Sequence, residues 1–286
     1  MTADDETVWF GAEGPSPFDY IRAVIAIVVV IGFVILALPV QMVARRFKLK
    51  AARIIPMTFH RLVLWALGAK VVVRGELTTH RPTLIAANHC SWLDIMVLGS
   101  ATPLSFVAKS EIAGWPLFGF LSKLQRTIFV DRERRISTAK TANEITGRMA
   151  EGDPVVLFAE GTSSDGNRVL KFRAALIGAA EMLARSTGET VWLQPVTIAY
   201  KRVNGLPAGR FHRHHVAWTG DMDLVPHAWP LLLKGAVDAE VIYGNPIPFD
   251  PAHARKAIAP LLESRVRAML AASLTGKDED LPPIVR

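Results

Sequence analysis

The sequence holds one cysteine, Cys90, in 286 residues. An internal disulfide framework is therefore excluded, and this usage fits a reducing compartment. No internal repeat is visible. The leading residues are acidic (Asp4, Asp5, Glu6, Glu13 and Asp19), and no small-x-small site stands out after the apolar run behind them, so a cleaved signal peptide fits poorly. The Gly-, Ser- and Thr-rich loop after Glu160 lacks the Gly-Lys-Ser/Thr ending of a P-loop. Around His212-Arg213-His214-His215 no carboxylate or cysteine stands at ligand-like spacing, so the segment reads as a solvated basic loop rather than a metal site. The formal charge is +7 and the pI about 9.7, yet the positive charges gather behind the apolar run and no nucleic-acid-binding motif accompanies them. Nucleic acid is not an expected partner.

Charge itself is missing from Ala23 to Ala44, a run of 22 residues long enough to cross a hydrocarbon core, with Pro39 and Gln41 weakening its last turns. Only Arg22 precedes it closely, whereas Arg45, Arg46, Lys48, Lys50 and Arg53 follow. The positive-inside rule then puts the bulk of the chain on the cytoplasmic side of the cell inner membrane, with the lipid bilayer as a partner. The competing reading is an interfacial or re-entrant anchor. Ile54 to Ala69, apolar and helix-like but interrupted by His60 and Arg61, would be a second helix lying against the membrane. The chain divides into an acidic tail (1–19), a transmembrane or membrane-anchor helix (20–44), a membrane-proximal basic and amphipathic segment (45–80), a main domain (81–272) and a C-terminal tail (273–286). That last tail, with Lys277-Asp278-Glu279-Asp280 and Pro282-Pro283, reads as a frayed end.

Beyond the anchor, strand-like and helix-like runs alternate. Strands are expected at Val71–Val73, Thr83–Ala87, Leu104–Ala108, Thr127–Val130, Val155–Phe158, Val191–Ala199, His215–Trp218 and Ala239–Tyr243. Helices are expected at Ile136–Glu151, Arg173–Ser186 and His253–Ala272. The fold class is α/β: a mixed, mostly parallel sheet flanked by helices, carrying an N-terminal membrane-anchoring helix. Pro195, inside one of the runs, points to an edge strand or a bulge there.

Two strand ends carry chemistry. Thr83–Ala87 runs into Asn88-His89, and Ser91 with Asp94 three places on has capping-box spacing, so His89 sits where a strand hands over to a helix. With His89 before the helix and Asp94 in its first turn, the carboxylate reaches back to the imidazole as the orienter of a general base. The plainer reading is that Asp94 only caps the helix. Val155–Phe158 runs into Glu160 and the loop Gly161 to Gly166, whose N–H groups and hydroxyls suit a polar headgroup. Arg132 is either an anion clamp or one half of a surface ion pair. Gly114 to Leu124 is apolar and aromatic, by default core, otherwise a wall for an acyl chain or a membrane-facing patch. Cys90 beside His89 lacks the further partners that a thiol nucleophile needs.

Taken in order, Asn88-His89 with Asp94, Phe129-Val130-Asp131-Arg132, Phe158-Ala159-Glu160-Gly161-Thr162 and Gln194-Pro195-Val196 resemble the four blocks of the glycerolipid acyltransferase family, over roughly residues 60–245. The resemblance implies direct acyl transfer from an acyl carrier protein or CoA thioester to a lysolipid hydroxyl, with no acyl-enzyme, no metal and no redox cofactor. His89 would be the base and Asp94 its orienter. Lys109, Arg132, Glu160, Gly161 and Thr162 would hold the acceptor. The third block usually reads Phe-Pro-Glu-Gly-Thr-Arg; here Ala159 replaces the proline and Ser163 the arginine. Losing that cation disfavours a phosphomonoester. The run from Glu160 to Leu170 is more similar to bacterial lyso-ornithine lipid acyltransferases, whose acceptor is zwitterionic, with lysophosphatidic acid the close second. An acyl-thioester hydrolase and a non-catalytic lipid-binding protein are the rival classes.

Overall fold

The computed structural model describes residues 14–130, 139–220, 222–250 and 255–285. Helix α1 (Pro17–Arg46) starts at a full capping box, in which Ser16 and Asp19 satisfy each other's N–H groups, with Pro17 preset for the first turn. It continues through Pro39 and turns back into α2 (Ala51–Ala66), which packs along it. Ala23, Ala26, Gln41 and Ala44 form its buried face, while Ile21, Val24, Val28, Ile31, Ile35 and Leu36 among others stay exposed.

The remaining elements are β1 (Lys70–Arg74), β2 (Thr83–Ala87), α3 (Leu93–Ala101), β3 (Ser105–Lys109), α4 (Phe118–Leu124), β4 (Ile128–Val130), α5 (Ala139–Ala150), β5 (Val155–Phe158), α6 (Gly178–Thr187), β6 (Val191–Val203), β7 (Leu206–Pro207), α7 (Leu224–Lys234), β8 (Val237–Tyr243), β9 (Ile247–Phe249), α8 (Arg255–Thr275) and β10 (Ile284–Val285). Among the described residues the strands form one sheet in the order β10-β1-β8-β6-β2-β5-β3-β4, with β7 and β9 also on β6. β2 is parallel to both β5 and β6, and all five of its residues are buried. That is why it reads as a continuous apolar run. Its alternation divides the core: Ile85 and Ala87 face a cluster with Leu93, Phe106 and Phe158, and Leu84 and Ala86 face one with Leu183, Leu262 and Val266. The first face carries α1–α3 and α7, and it is the face into which the chain after Ala87 turns.

Several expectations are corrected. β1 lies inside the sheet, parallel to β8, so the α/β domain begins near residue 70 rather than 81. The tail is not frayed: α8 runs to Thr275, and Ile284–Val285 pair antiparallel with β1 as a short edge strand that covers it. Pro195 sits in a central strand. The N–H and C=O of one residue point to one side of a strand, and the Pro195 carbonyl accepts from Gly244 N at 2.9 Å. The missing N–H therefore faces the gap where β8 leaves β6 and β9 joins it. Gln194, buried beside this gap, bonds Glu76 O, Gly244 O and Thr78 N and fills the break. His215–Trp218 is no strand. A short turn, Arg213–His215, leads into a segment held by Trp218 N–H on Cys90 O at 2.7 Å. The basic loop is not fully solvated either, since Arg213 is buried and donates to the Tyr200 and Ala208 carbonyls and to Asn167.

Candidate active site

The site begins where β2 ends. Asn88 is buried and makes two bonds to one residue of the neighbouring strand, Nδ2 to Ile198 O at 2.9 Å and Ile198 N to Oδ1 at 2.8 Å. These copy a sheet ladder with a side chain and fix the strand end. His89 follows, half-buried, its ring stacked on Phe158 with centroids 4.0 Å apart. Its Nδ1 lies 2.8 Å from Asp94 Oδ2. The helix starts at Leu93, so His89 precedes it while Asp94 lies in its first turn, and five positions of sequence separation close into one contact.

Asp94 is fully buried. Oδ2 also accepts from Cys90 N at 2.7 Å and Ser91 N at 3.0 Å, and Oδ1 accepts from the Tyr200 hydroxyl at 2.7 Å. Only half of a capping box is made: the carboxylate reaches Ser91 N–H, but Ser91 Oγ accepts from Leu93 N at 3.4 Å instead of Asp94 N. Asp94 therefore both braces the turn that leads into α3 and orients His89. A carboxylate only accepts, so Nδ1 carries the proton and Nε2 the lone pair. Burial and the Asp94 charge push the Tyr200 hydroxyl well above its ordinary pKa, so Tyr200 stays a donor. Cys90 is buried, and desolvation followed by the Asp94 charge pushes its thiol up as well. A nucleophilic thiolate is disfavoured there.

Glu160 stands behind His89 rather than in the cavity wall. It is buried, and Oε1 accepts from His89 N at 3.2 Å. Desolvation, against the bonds from His89 and Leu170, moves its pKa from 4.5 up to about 8, with the Asp94 charge adding to the rise. The group is thus a neutral acid near neutral pH. The loop beyond it is tied back by Ser164 N to His89 O at 2.8 Å. Gly161 has φ +71, and Arg173 lies against it so closely that a Cβ would meet its Cδ at 3.0 Å.

A cavity of about 620 Å³ opens on His89. Its walls come from α1 (Phe33, Val34, Ala37), α2 (Phe59, His60), the sheet (Phe106, Phe158) and the stretch from Trp115 to Leu124. That stretch, expected by default to be core, has only Gly119 buried in α4, while Leu117, Phe118 and Phe120 are exposed; it serves as wall and surface. Thr162 and Ser163 line the same cavity as His89, as does Lys109, which pairs with Glu111 at 2.6 Å. Arg132 lies outside the described residues. Sequence reasoning gave no role to Tyr200 or Asn88. Tyr200 is 106 positions from Asp94, and no local pattern marks it.

A polar strand-end histidine oriented by a buried carboxylate, at the head of an apolar cavity in an α/β sheet, is the arrangement of an acyl-transfer enzyme. The family model described as Acyltransferase matches residues 70–199, and the chain belongs to this acyltransferase family. Among its relatives is the lyso-ornithine lipid O-acyltransferase of Brucella abortus, 43% identical over 90% of this chain and 97% of that protein. The enzyme of the same name from Rhizobium meliloti is 40% identical over 91% of this chain and 89% of its own. The 1-acyl-sn-glycerol-3-phosphate acyltransferase of Neisseria meningitidis is 37% identical over 42% of this chain and 48% of its own. In fold, the chain is similar to the crystal structure of the 1-acyl-sn-glycerophosphate acyltransferase PlsC from Thermotoga maritima, with a TM-score of 0.57 and 18% identity over 88% of this chain and 96% of that one.

Proposed function

We propose that this enzyme is anchored at the cytoplasmic face of the cell inner membrane and transfers a fatty acyl group from a carrier-protein or CoA thioester to the hydroxyl of lyso-ornithine lipid, giving ornithine lipid. The observation that carries the reading is the His89–Asp94 pair at 2.8 Å, opening on an apolar cavity walled partly by the anchor helix. His89 Nε2 takes the proton of the acceptor hydroxyl as its oxygen attacks the thioester carbon. The imidazolium is stabilised by Asp94, which the Cys90 and Ser91 N–H groups and the Tyr200 hydroxyl hold in place. On collapse the C–S bond breaks, and the leaving thiolate takes the proton back from Nε2. The proton balance closes without a metal or redox cofactor. The cavity would hold an acyl chain beside His89. Thr162, Ser163 and Lys109 in its wall would face the acceptor, whereas Glu160 acts through its bond to the His89 backbone.

The anchor is read as lying along the membrane surface rather than crossing it. Near the start of α1, Arg22 donates to Ala66 O at 3.2 Å and Leu232 O at 2.5 Å; near its end, Gln41 donates to Leu124 O at 3.2 Å and Arg45 to Lys123 O at 2.6 Å. A crossing helix has its ends on opposite sides of about 30 Å of hydrocarbon. Here one domain holds both ends. The basic residues after Ala44 would then meet anionic headgroups.

Lysophosphatidic acid is the second reading, favoured by the Neisseria relative. Protein in vesicles is given labelled acyl carrier protein and acyl-CoA with each acceptor in turn. Product from lyso-ornithine lipid alone is expected. Product from lysophosphatidic acid alone reverses the assignment, and free fatty acid in the absence of acceptor at the transfer rate makes the protein a hydrolase.

A further inference from the structure

Helix α7 carries an apolar stripe that no other described element covers. Val225 is 72% exposed and Trp229 41%, with Met222 at 45% just before the helix. Val225 and Trp229, four apart in the helix, share one face. The opposite face is fixed: Leu231 is buried in the core cluster, and His227 Nδ1 accepts from Trp92 Nε1 at 3.1 Å. From Leu224 to Lys234 the only charged residue is the last, and the only other titratable one, His227, is turned inward. A helix facing water over this length ordinarily carries charge on its open side.

The position of the stripe says what covers it. The end of α7 sits on the start of α1, through Arg22 to Leu232 O and through Lys234 and Asp19 at 3.8 Å. Its beginning reaches the cavity rim, where Met222 and Leu224 stand among the lining residues with Phe33 and Val34 of α1. The start of α7 and the middle of α1 thus line the same cavity as His89.

We propose that α7 is a membrane-contacting helix, seated by Val225 and Trp229 in the lipid interface, and that it forms with α1 the frame through which a lysolipid passes sideways from the leaflet to His89. The occupant of the stripe is lipid, because α7 ends against the start of α1, a long helix with many exposed apolar side chains, and begins at the cavity that α1 walls. This rests on the membrane-anchor reading above, and the test separates the two.

Cys90 is buried, so a cysteine placed elsewhere is the reactive one. Fluorescent probes go on Val225→Cys, on Ile31→Cys in the exposed face of α1, and on Glu189→Cys in a distant exposed loop, each in phosphatidylethanolamine–phosphatidylglycerol vesicles. Lipids with a nitroxide on the acyl chain should quench the probes at 225 and 31 and spare that at 189, while iodide in the water does the reverse. A probe at 225 open to iodide overturns the proposal. With 31 quenched by lipid the anchor stands and α7 alone is refuted; with 31 also open to iodide both fail. A probe at 225 hidden from iodide and from lipid means a second chain covers it, which also refutes the proposal. The double variant Val225→Glu/Trp229→Glu should lower acylation of vesicle-borne lysolipid about tenfold and leave a water-soluble short-chain acceptor unaffected. Equal loss on both acceptors contradicts a membrane-contact role.

Discussion

Replacing Asp94 by asparagine keeps the size of the side chain and removes its charge. The carboxylate now takes hydrogen bonds from His89 Nδ1, Cys90 N, Ser91 N and the Tyr200 hydroxyl, and it is fully buried. An amide has one acceptor oxygen, and its NH2 group can only donate. With the NH2 on the Oδ2 side, the imidazole flips to the tautomer with Nδ1 accepting, which puts the proton on the reacting nitrogen, and the Cys90 and Ser91 N–H groups lose their partner; with it on the Oδ1 side, the Tyr200 hydroxyl accepts and only the charge is lost. The first outcome removes both the base and the stabilisation of the imidazolium. In a serine-protease triad the analogous change costs about 10⁴-fold in kcat, so a loss of roughly 10³- to 10⁴-fold is expected here, about 4–5.5 kcal/mol of barrier. The first also costs about 1–3 kcal/mol of stability for each unpaired N–H, whereas the second outcome removes the stabilisation of the imidazolium alone. Steady-state transfer of labelled acyl groups gives kcat and KM, and thermal unfolding reports the stability cost separately. Tyr200→Phe is the control. It removes one donor from the carboxylate, should cost about 1.5–3 kcal/mol in stability, and should lower kcat far less. A folded Asp94→Asn enzyme within tenfold of wild type would refute the orienting role and leave Asp94 a brace of the turn before α3.

Three further outcomes follow from other parts of the molecule. Glu160 has its pKa raised from 4.5 to about 8, so the folded state binds the extra proton between those values, and wild-type stability should fall as pH rises through that window, by a total on the order of a few kcal/mol. Glu160→Gln, neutral throughout, should flatten that decline in denaturant titrations; an unchanged slope contradicts a buried neutral acid. A Cβ at Gly99 would lie 1.8 Å from His60 Nδ1, so Gly99→Ala should push α2 off α3, lower Tm by several degrees and raise protease sensitivity between residues 46 and 70; an unshifted Tm contradicts that packing. Ala37→Phe, placed in the cavity wall, should shift the donor preference towards shorter acyl chains in a competition series; an unaltered profile would mean that the chain does not run past α1.

Legibility in the sequence followed the range of the interactions. β2 and β5 have the expected bounds because both are buried on two faces and therefore read as unbroken apolar runs. His89 and Asp94 were readable as a pair because a strand end and a helix start lie within five positions. What depended on distant partners was not readable. Pro195 looked like an edge residue because nothing local shows that one strand leaves β6 and another joins it at that level. Tyr200 became a ligand of Asp94 only through the parallel pairing of β2 with β6, which carries the longer strand past the end of the shorter one. Ile284 and Val285 form too short a run to read as a strand without β1 beside them. The family resemblance implies an acceptor-holding role for Glu160, and its bond from the His89 backbone N–H is a long-range contact that no local pattern shows.

The most direct test of the account is acyl transfer to lyso-ornithine lipid by vesicles carrying wild type or His89→Ala, with folding of each checked by thermal unfolding. Wild type should form ornithine lipid, and the variant, stripped of its base, should do so at least about 10²- to 10⁴-fold more slowly with thioester binding retained. Equal rates from the two folded proteins would contradict base catalysis by His89.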